Sequence, residues 1–287
     1  MLEVRNITKT YGDKTVLQGL GFRVQRGETA ALLGENGSGK STTFRIILGL
    51  LEADRGEVTM DGRPVDRRKI GYLPEQRSLY GDCSLQRQIE LFGALHGMSA
   101  AAIRHGADVW LKRLKLDGRR DEPCARLSKG NQQKAQWLLA LLHDPALLIL
   151  DEPFTGLDED NRRMVQGIIA ELQRRGRTIL LSSHQDEEAE TAATRFLVLH
   201  RGKIGIDVEK RRLENLSYRI VETTGDNGAA GRQPGVLRMK RCGGRTEYLM
   251  NDEPSAWKLI GLLRQTPPVT FCQLRPLGIR DLIGELS

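Results

Sequence analysis

Apolar positions change their spacing along the chain, and each change marks a different kind of element. In residues 2–27, Leu2, Val4 and Ile7 are followed by Leu17, Leu20, Phe22 and Val24, with Tyr11-Gly12-Asp13 and Arg26-Gly27-Glu28 as turn sequences. This spacing predicts antiparallel strands. Residues 29–33 are a short apolar run opening into the glycine-rich 34–39, after which residues 41–51 read as a helix ending at or near the leucine pair. Val58 and Met60 alternate before Asp61-Gly62, which predicts a hairpin around 56–64. From 84 to about 142 the spacing turns helical, through Leu85, Ile89, Leu91 and Phe92, then Val109, Leu111 and Leu114, then Trp137, Leu138, Leu141 and Leu142. Residues 146–150 are apolar and short enough for a buried parallel strand. An amphipathic helix (161–174), a strand (177–181), a short helix (187–194), a strand (196–199) and a hairpin-like 201–207 follow. Strands alternating with helices place the chain in the α/β class, with a mostly parallel sheet, an antiparallel β subdomain before it and a helical subdomain inserted in it.

The charged stretch 207–215 is the candidate domain boundary. Beyond it, 218–221, 235–239 and 269–274 read as strands and 254–263 as a helix, a small α+β arrangement. No internal repeat of useful length is present.

Composition narrows the class further. A length of 287 residues accommodates one large domain plus a small one, and 39% hydrophobic with 28% charged residues excludes a wholly disordered chain. No apolar run of about 18 residues occurs, and Glu3, Arg5, Lys9, Asp13 and Lys14 lie in the opening stretch, so neither a membrane span nor a signal peptide is expected and the cytoplasm is the expected location. Cys83, Cys124, Cys242 and Cys272 form no CxxC pair, which argues against a zinc knuckle or a disulfide framework. The net charge is +7, and residues 201–287 carry fifteen basic against ten acidic side chains. Such a segment suits nucleic acid, an anionic membrane or plain solvent, and composition alone favours the last.

Chemistry concentrates in three places. Gly34-Glu35-Asn36-Gly37-Ser38-Gly39-Lys40-Ser41 matches the phosphate-loop pattern, in which small residues turn backbone N–H groups toward phosphate oxygens at a helix N-terminus. The candidate contacts are Gly34, Asn36, Gly37, Ser38, Gly39, Lys40, Ser41 and Thr42, with Lys40 reaching the outer phosphates and Ser41 holding Mg²⁺. Leu147-Leu148-Ile149-Leu150 then delivers Asp151 and Glu152 to a strand end, Asp151 as a metal-side carboxylate and Glu152 to polarise an attacking water. His184, after residues 177–183, falls at the end of a neighbouring strand, where it contacts the γ-phosphate or orders Glu152.

With Leu127-Ser128-Lys129-Gly130-Asn131-Gln132-Gln133 and Gly156-Leu157-Asp158 added, the set resembles the ATP-binding subunit of ABC transporters over roughly residues 1–208. The resemblance implies a P-loop NTPase core of ABC type in 1–208, with its helical subdomain at about 84–142, a linker at 209–215 and an accessory domain in 216–287. It implies that Tyr11 stacks on adenine, that Ser128 and Gly130 close over the γ-phosphate of the opposite subunit, and that Asp158 lies in a dimer-contact loop. Lys129 and Asn131 depart from the commonest signature, while Ser128 and Gly130 are intact, so hydrolysis is expected to survive. In Ile70-Gly71-Tyr72-Leu73-Pro74-Glu75-Gln76, Glu75 stands where the family's metal-contacting glutamine usually lies, leaving two assignments open: Glu75 as the metal contact, or a loop shifted to Gln76. Both departures resemble the bacterial exporter branch that includes sodium-efflux and antibiotic-efflux ATPase subunits. The implied function is a Mg²⁺-dependent ATPase, a homodimer or heterodimer, driving a separate transmembrane permease from the inner membrane face, with no nucleic-acid partner expected. The rival readings are a soluble ABC ATPase acting on ribosomes or DNA and a regulator that binds ATP without turnover.

Overall fold

The chain opens with two long strands, β1 (Leu2–Tyr11) and β2 (Lys14–Val24), paired antiparallel from Leu2↔Val24 to Tyr11↔Lys14. Their apolar positions Leu2, Val4, Ile7, Leu17, Leu20, Phe22 and Val24 are buried, and so is Glu3, whose carboxylate pairs with Arg5 and Arg23. Next come β3 (Thr29–Leu33), every residue of which is buried, and helix α1 (Lys40–Ile47). This helix stops short of the leucine pair. Gly49 takes φ +65°, its N–H donates to Ile46 O and that of Leu50 to Arg45 O, a left-handed cap that reverses the chain before Leu50. Strands β4 (Arg55–Met60) and β5 (Arg63–Pro64) form the expected hairpin and complete a sheet ordered β2-β1-β4-β5. The computed structural model from which these elements are taken describes residues 1–76, 78–183, 186–224, 230–242, 244–265, 269 and 271–283.

A short strand that the spacing did not reveal, β6 (Ile70–Leu73), precedes three helices, α2 (Leu85–Leu95), α3 (Ala100–Arg113) and α4 (Lys129–Leu141). Ser84, Ser99 and Ser128 cap them, each hydroxyl accepting a backbone N–H three residues on. The helices bury Leu85, Ile89, Leu111, Trp137 and Leu138 of the expected set, together with Ile103 and Ala107, whereas Leu91 and Val109 of that set lie on the exposed faces. The chain then alternates: β7 (Leu147–Asp151), α5 (Glu159–Arg174), β8 (Thr178–Ser182), α6 (Asp186–Ala192), β9 (Arg195–His200) and β10 (Lys203–Glu209). The second sheet runs β10-β9-β3-β8-β7-β6, with β9/β3, β3/β8, β8/β7 and β7/β6 all parallel. Strands β3, β7 and β8 are buried at every position, which is why they read as continuous apolar runs. Their C-terminal ends gather the phosphate loop, Asp151 and Ser182 at one edge of the sheet, where ligands bind in open parallel sheets.

The chain divides into two compact units, Met1–Val208 and Glu209–Ser287. In the second, α7 (Lys210–Glu214) occupies the charged stretch, followed by β11 (Arg219–Thr224), β12 (Val236–Cys242), β13 (Arg245–Met250), α8 (Glu253–Arg264), β14 (Cys272–Pro276) and α9 (Ile279–Ile283). The sheet β12-β13-β11-β14 is antiparallel. Ala256, Leu259, Ile260 and Leu263 of α8 form its core with Val221, Tyr248 and Met250. The expected strand at 269–274 begins later, at Cys272, and β13 is an addition to the sequence reading.

Candidate nucleotide site

The glycine loop is built around backbone that only glycine accommodates. Gly34 has φ +147°, and a Cβ there would lie 2.4 Å from the Leu199 carbonyl oxygen and 2.9 Å from Ser38 Oγ. The Lys40 ammonium folds back on the loop, donating to the carbonyls of Gly34 (2.6 Å) and Glu35 (3.0 Å). Thr43 secures the first helical turn, its N–H and hydroxyl both donating to Gly39 O, at 2.8 and 2.9 Å. The loop borders a cavity of about 460 Å³ lined by Lys14, Val16, Asn36, Gly37, Gly39, Lys40, Ser41, Thr42, Glu75, Asp151 and Glu152. Gly34 and Ser38 are absent from this lining, and Ser38 Oγ is buried without a hydrogen-bond partner.

Opposite the loop, the parallel register pairs Asp151 of β7 with Ser182 of β8. Ser182 Oγ donates to Asp151 Oδ1 at 2.6 Å and accepts the Glu152 N–H at 3.0 Å. Asp151 is only 8% exposed. Burial pushes its carboxyl above the usual carboxylate range, the Ser182 hydrogen bond opposes this, and the charges of Glu75 and Glu152 add to it. Burial likewise lowers the Lys40 ammonium pKa, against the pull of Glu152, Asp151 and Glu75. Glu152 adopts φ +53°, in the left-handed region.

Two lysines, Lys14 and Lys40, and three carboxylates thus share a cavity edged by a helix N-terminus. Among the described residues no group of three or more His, Cys, Asp or Glu side chains is arranged to hold a metal by itself. The Ser41 hydroxyl and the Asp151 and Glu75 carboxylates, all hard oxygen donors on this cavity, fit a Mg²⁺ ion that arrives with phosphate oxygens and keeps water ligands.

The remaining predicted residues lie off this lining. Tyr11, at the end of β1, is 46% exposed, with Lys9 Nζ 5.9 Å from its ring centroid. Ser128 caps α4, accepting Asn131 N–H at 3.3 Å. Asp158 caps α5, accepting from Asn161 N (2.8 Å) and Asn161 Nδ2 (3.0 Å). A Cβ on Gly130 would meet Asn161 Nδ2 at 3.8 Å, so Asn161 lies beside Gly130 as well as Asp158. His184 lies outside the described residues. Two glutamines of α4 reach toward the site's flanks: Gln133 Nε2 donates to the carbonyls of Pro153 (3.4 Å) and Thr155 (3.2 Å), and Gln136 Nε2 to Gln76 O (3.4 Å). Sequence reasoning missed Lys14, Val16, Ser182 and Asn161. Only Ser182 left a signal, a polar residue closing an apolar run one strand from Asp151.

Comparison with known proteins bears on the family and the fold. Residues 17–155 match the ABC transporter family model. The chain is 41% identical to YhaQ of Bacillus subtilis, an ABC transporter ATP-binding protein, over 99% of this chain and 98% of the relative. It is 33% identical to the Nod factor export ATP-binding protein I of Burkholderia orbicola, over 100% and 96%. A solved ATP-binding subunit of an ABC transporter superposes with a TM-score of 0.71 at 34% identity, covering 75% of this chain and 92% of that one. A dimeric, post-hydrolysis ATP-binding cassette bound to ADP and Pi superposes with a TM-score of 0.67 at 27% identity, covering 74% and 99%. Fold and relatives agree: the chain belongs to the ABC transporter family, as an ATP-binding subunit with the ABC ATPase fold.

Proposed function

We propose that the protein is a Mg²⁺-dependent ATPase that pairs with a second ATPase subunit across ATP and drives a separate transmembrane permease as an exporter. The observation that carries this reading is the division of the site. The phosphate loop, Glu75, Asp151 and Glu152 share one cavity, while Ser128, Gly130 and Asp158 stand off it. A second copy, or a related subunit, would supply the missing face. Lys40 binds the outer phosphates, exchanging loop carbonyls for a charge-assisted contact. Ser41, Asp151 and Glu75 would hold Mg²⁺, which when bound would neutralise phosphate charge. Glu152 accepts a proton from water as its oxygen attacks the γ-phosphorus, and ADP leaves with the electrons of the broken bond. Closure by the partner's 128–130 segment excludes bulk water, and Gln133 and Gln136 carry the movement into the helical subdomain. The ADP- and Pi-bound dimeric cassette supports pairing and turnover. Export is supported by the departures at Glu75, Lys129 and Asn131 and by the name of the Nod factor export relative.

Among the described residues no helix is long and apolar enough to cross a membrane. The reading assigns the path to the permease and seats the ATPase on its inner face. Affinity purification of the tagged protein from detergent-solubilised native membranes tests it. A multi-span partner in the eluate supports transport. Ribosomal or nucleoid proteins without a membrane partner would overturn it in favour of a soluble ATPase, for which the basic segment 201–287 is the motivating feature.

A further inference from the structure

Ser182 belongs to none of the recognised motifs, yet its hydroxyl bonds the carboxylate of Asp151 and the backbone N–H of Glu152, two of the three acidic residues of the site. It is 0% exposed and ends β8 in register with Asp151. Partners in a parallel pair project to the same face of the sheet, so the two side chains meet. A hydroxyl has one proton to give. An ionised carboxylate only accepts, so that proton goes to Asp151 Oδ1, and a lone pair remains for the Glu152 N–H. Glu152 is held at φ +53°, a conformation that L side chains rarely adopt, and the Ser182 bond falls on that residue's own amide. One hydroxyl therefore sets the orientation of the metal-side carboxylate and of the backbone that aims Glu152.

We propose that Ser182 is a positioning residue for hydrolysis, locking Asp151 and Glu152 into a single unit. The proposal rests on the hydrolytic reading above. Its consequence is a separation of effects. Ser182 contacts the acidic pair and not the glycine loop, so nucleotide capture by Lys40 and its loop is left intact when the hydroxyl is removed, whereas water activation and metal placement are not.

The test uses the full-length chain with Ser182→Ala and Ser182→Thr. Phosphate release gives kcat and KM, a fluorescent ATP analogue in EDTA gives metal-free affinity, Mn²⁺ binding to the ATP-loaded protein is read by electron paramagnetic resonance, and the thermal midpoint monitors folding. Ser182→Ala is expected to lower kcat about tenfold or more and to weaken Mn²⁺ about threefold or more, with KM and metal-free affinity within about threefold of wild type. Ser182→Thr, which keeps the hydroxyl, is expected to restore kcat. If the added methyl group unfolds that variant, the kcat against KM split in Ser182→Ala still decides. An unchanged kcat in folded Ser182→Ala, or a parallel loss of kcat and metal-free affinity, overturns the proposal. A wild-type chain that releases no phosphate fails the hydrolytic reading instead, and unchanged Mn²⁺ binding in Ser182→Ala would then overturn the positioning role by itself.

Discussion

Gly34 and Gly37 look equivalent in the sequence, two loop glycines three residues apart, and the structure separates them. Both have positive φ, +147° and +79°, so alanine at either pays a backbone cost of about 1–2 kcal/mol. At Gly37 nothing lies within 4 Å of the added Cβ. At Gly34 it would sit 2.4 Å from the carbonyl oxygen of Leu199, a buried residue of β9 held in the central sheet. That oxygen has little room to retreat, and overpacking of this kind costs about 1–3 kcal/mol more. Gly34→Ala is thus expected to lose roughly 2–5 kcal/mol in total and Gly37→Ala about 1–2 kcal/mol. In a unit of this size 1 kcal/mol moves the thermal midpoint by about 2–4 °C, so the midpoints of the two variants should differ by about 2–12 °C. Differential scanning fluorimetry of the nucleotide-free protein, using Trp110 and Trp137 of the first unit, reads the gap. Equal midpoints, or a larger loss for Gly37→Ala, would refute the claim that Gly34 is required by its contact with β9.

The other expectations concern residues away from the loop. His143 stacks on His96 with ring centroids 3.6 Å apart, and burial, followed by the His96 charge, holds its imidazole down to about 4. The unfolded chain then binds the extra proton between about pH 6.5 and 4, so stability is full above that window and falls as pH drops through it, by about 2 kcal/mol at pH 5. Urea unfolding at pH 7 and 5 checks this: wild type should lose that share and His143→Phe should not, and equal pH dependence would sink the assignment. Asp158→Ala removes the α5 cap and should cost about 1 kcal/mol, which Asp158→Ser should return. If Asp158 also contacts a partner subunit, Asp158→Ser regains the thermal midpoint without regaining ATP-driven pairing.

Where burial on both faces or strict alternation shaped the chain, the elements were legible: β3, β7 and β8 read as apolar runs, β1 and β2 as alternation, and α5 as an amphipathic helix. β6 escaped because Gly71 and Tyr72 interrupt a four-residue strand, leaving too few apolar positions for a period. In β13, Thr246 is buried beside Tyr248 and Met250, so a polar residue stands where alternation asks for an apolar one. The end of α1 was misread because Leu50 and Leu51 continue the helical pattern, while the Gly49 cap turns the chain away. Motif residues cluster in the site because their chemistry depends on local order along the chain. Ser182 does not show itself that way, since its role comes from parallel register across thirty-one positions of sequence.

The central claim, a catalytic site completed by a second subunit, is tested most directly with Glu152→Gln. Size-exclusion chromatography with light scattering, run with and without Mg²⁺ and ATP, measures its mass. Keeping the phosphate loop while removing the water-activating carboxylate should give a stable dimer with ATP and a monomer without it. A chain that binds ATP yet stays monomeric would contradict the account.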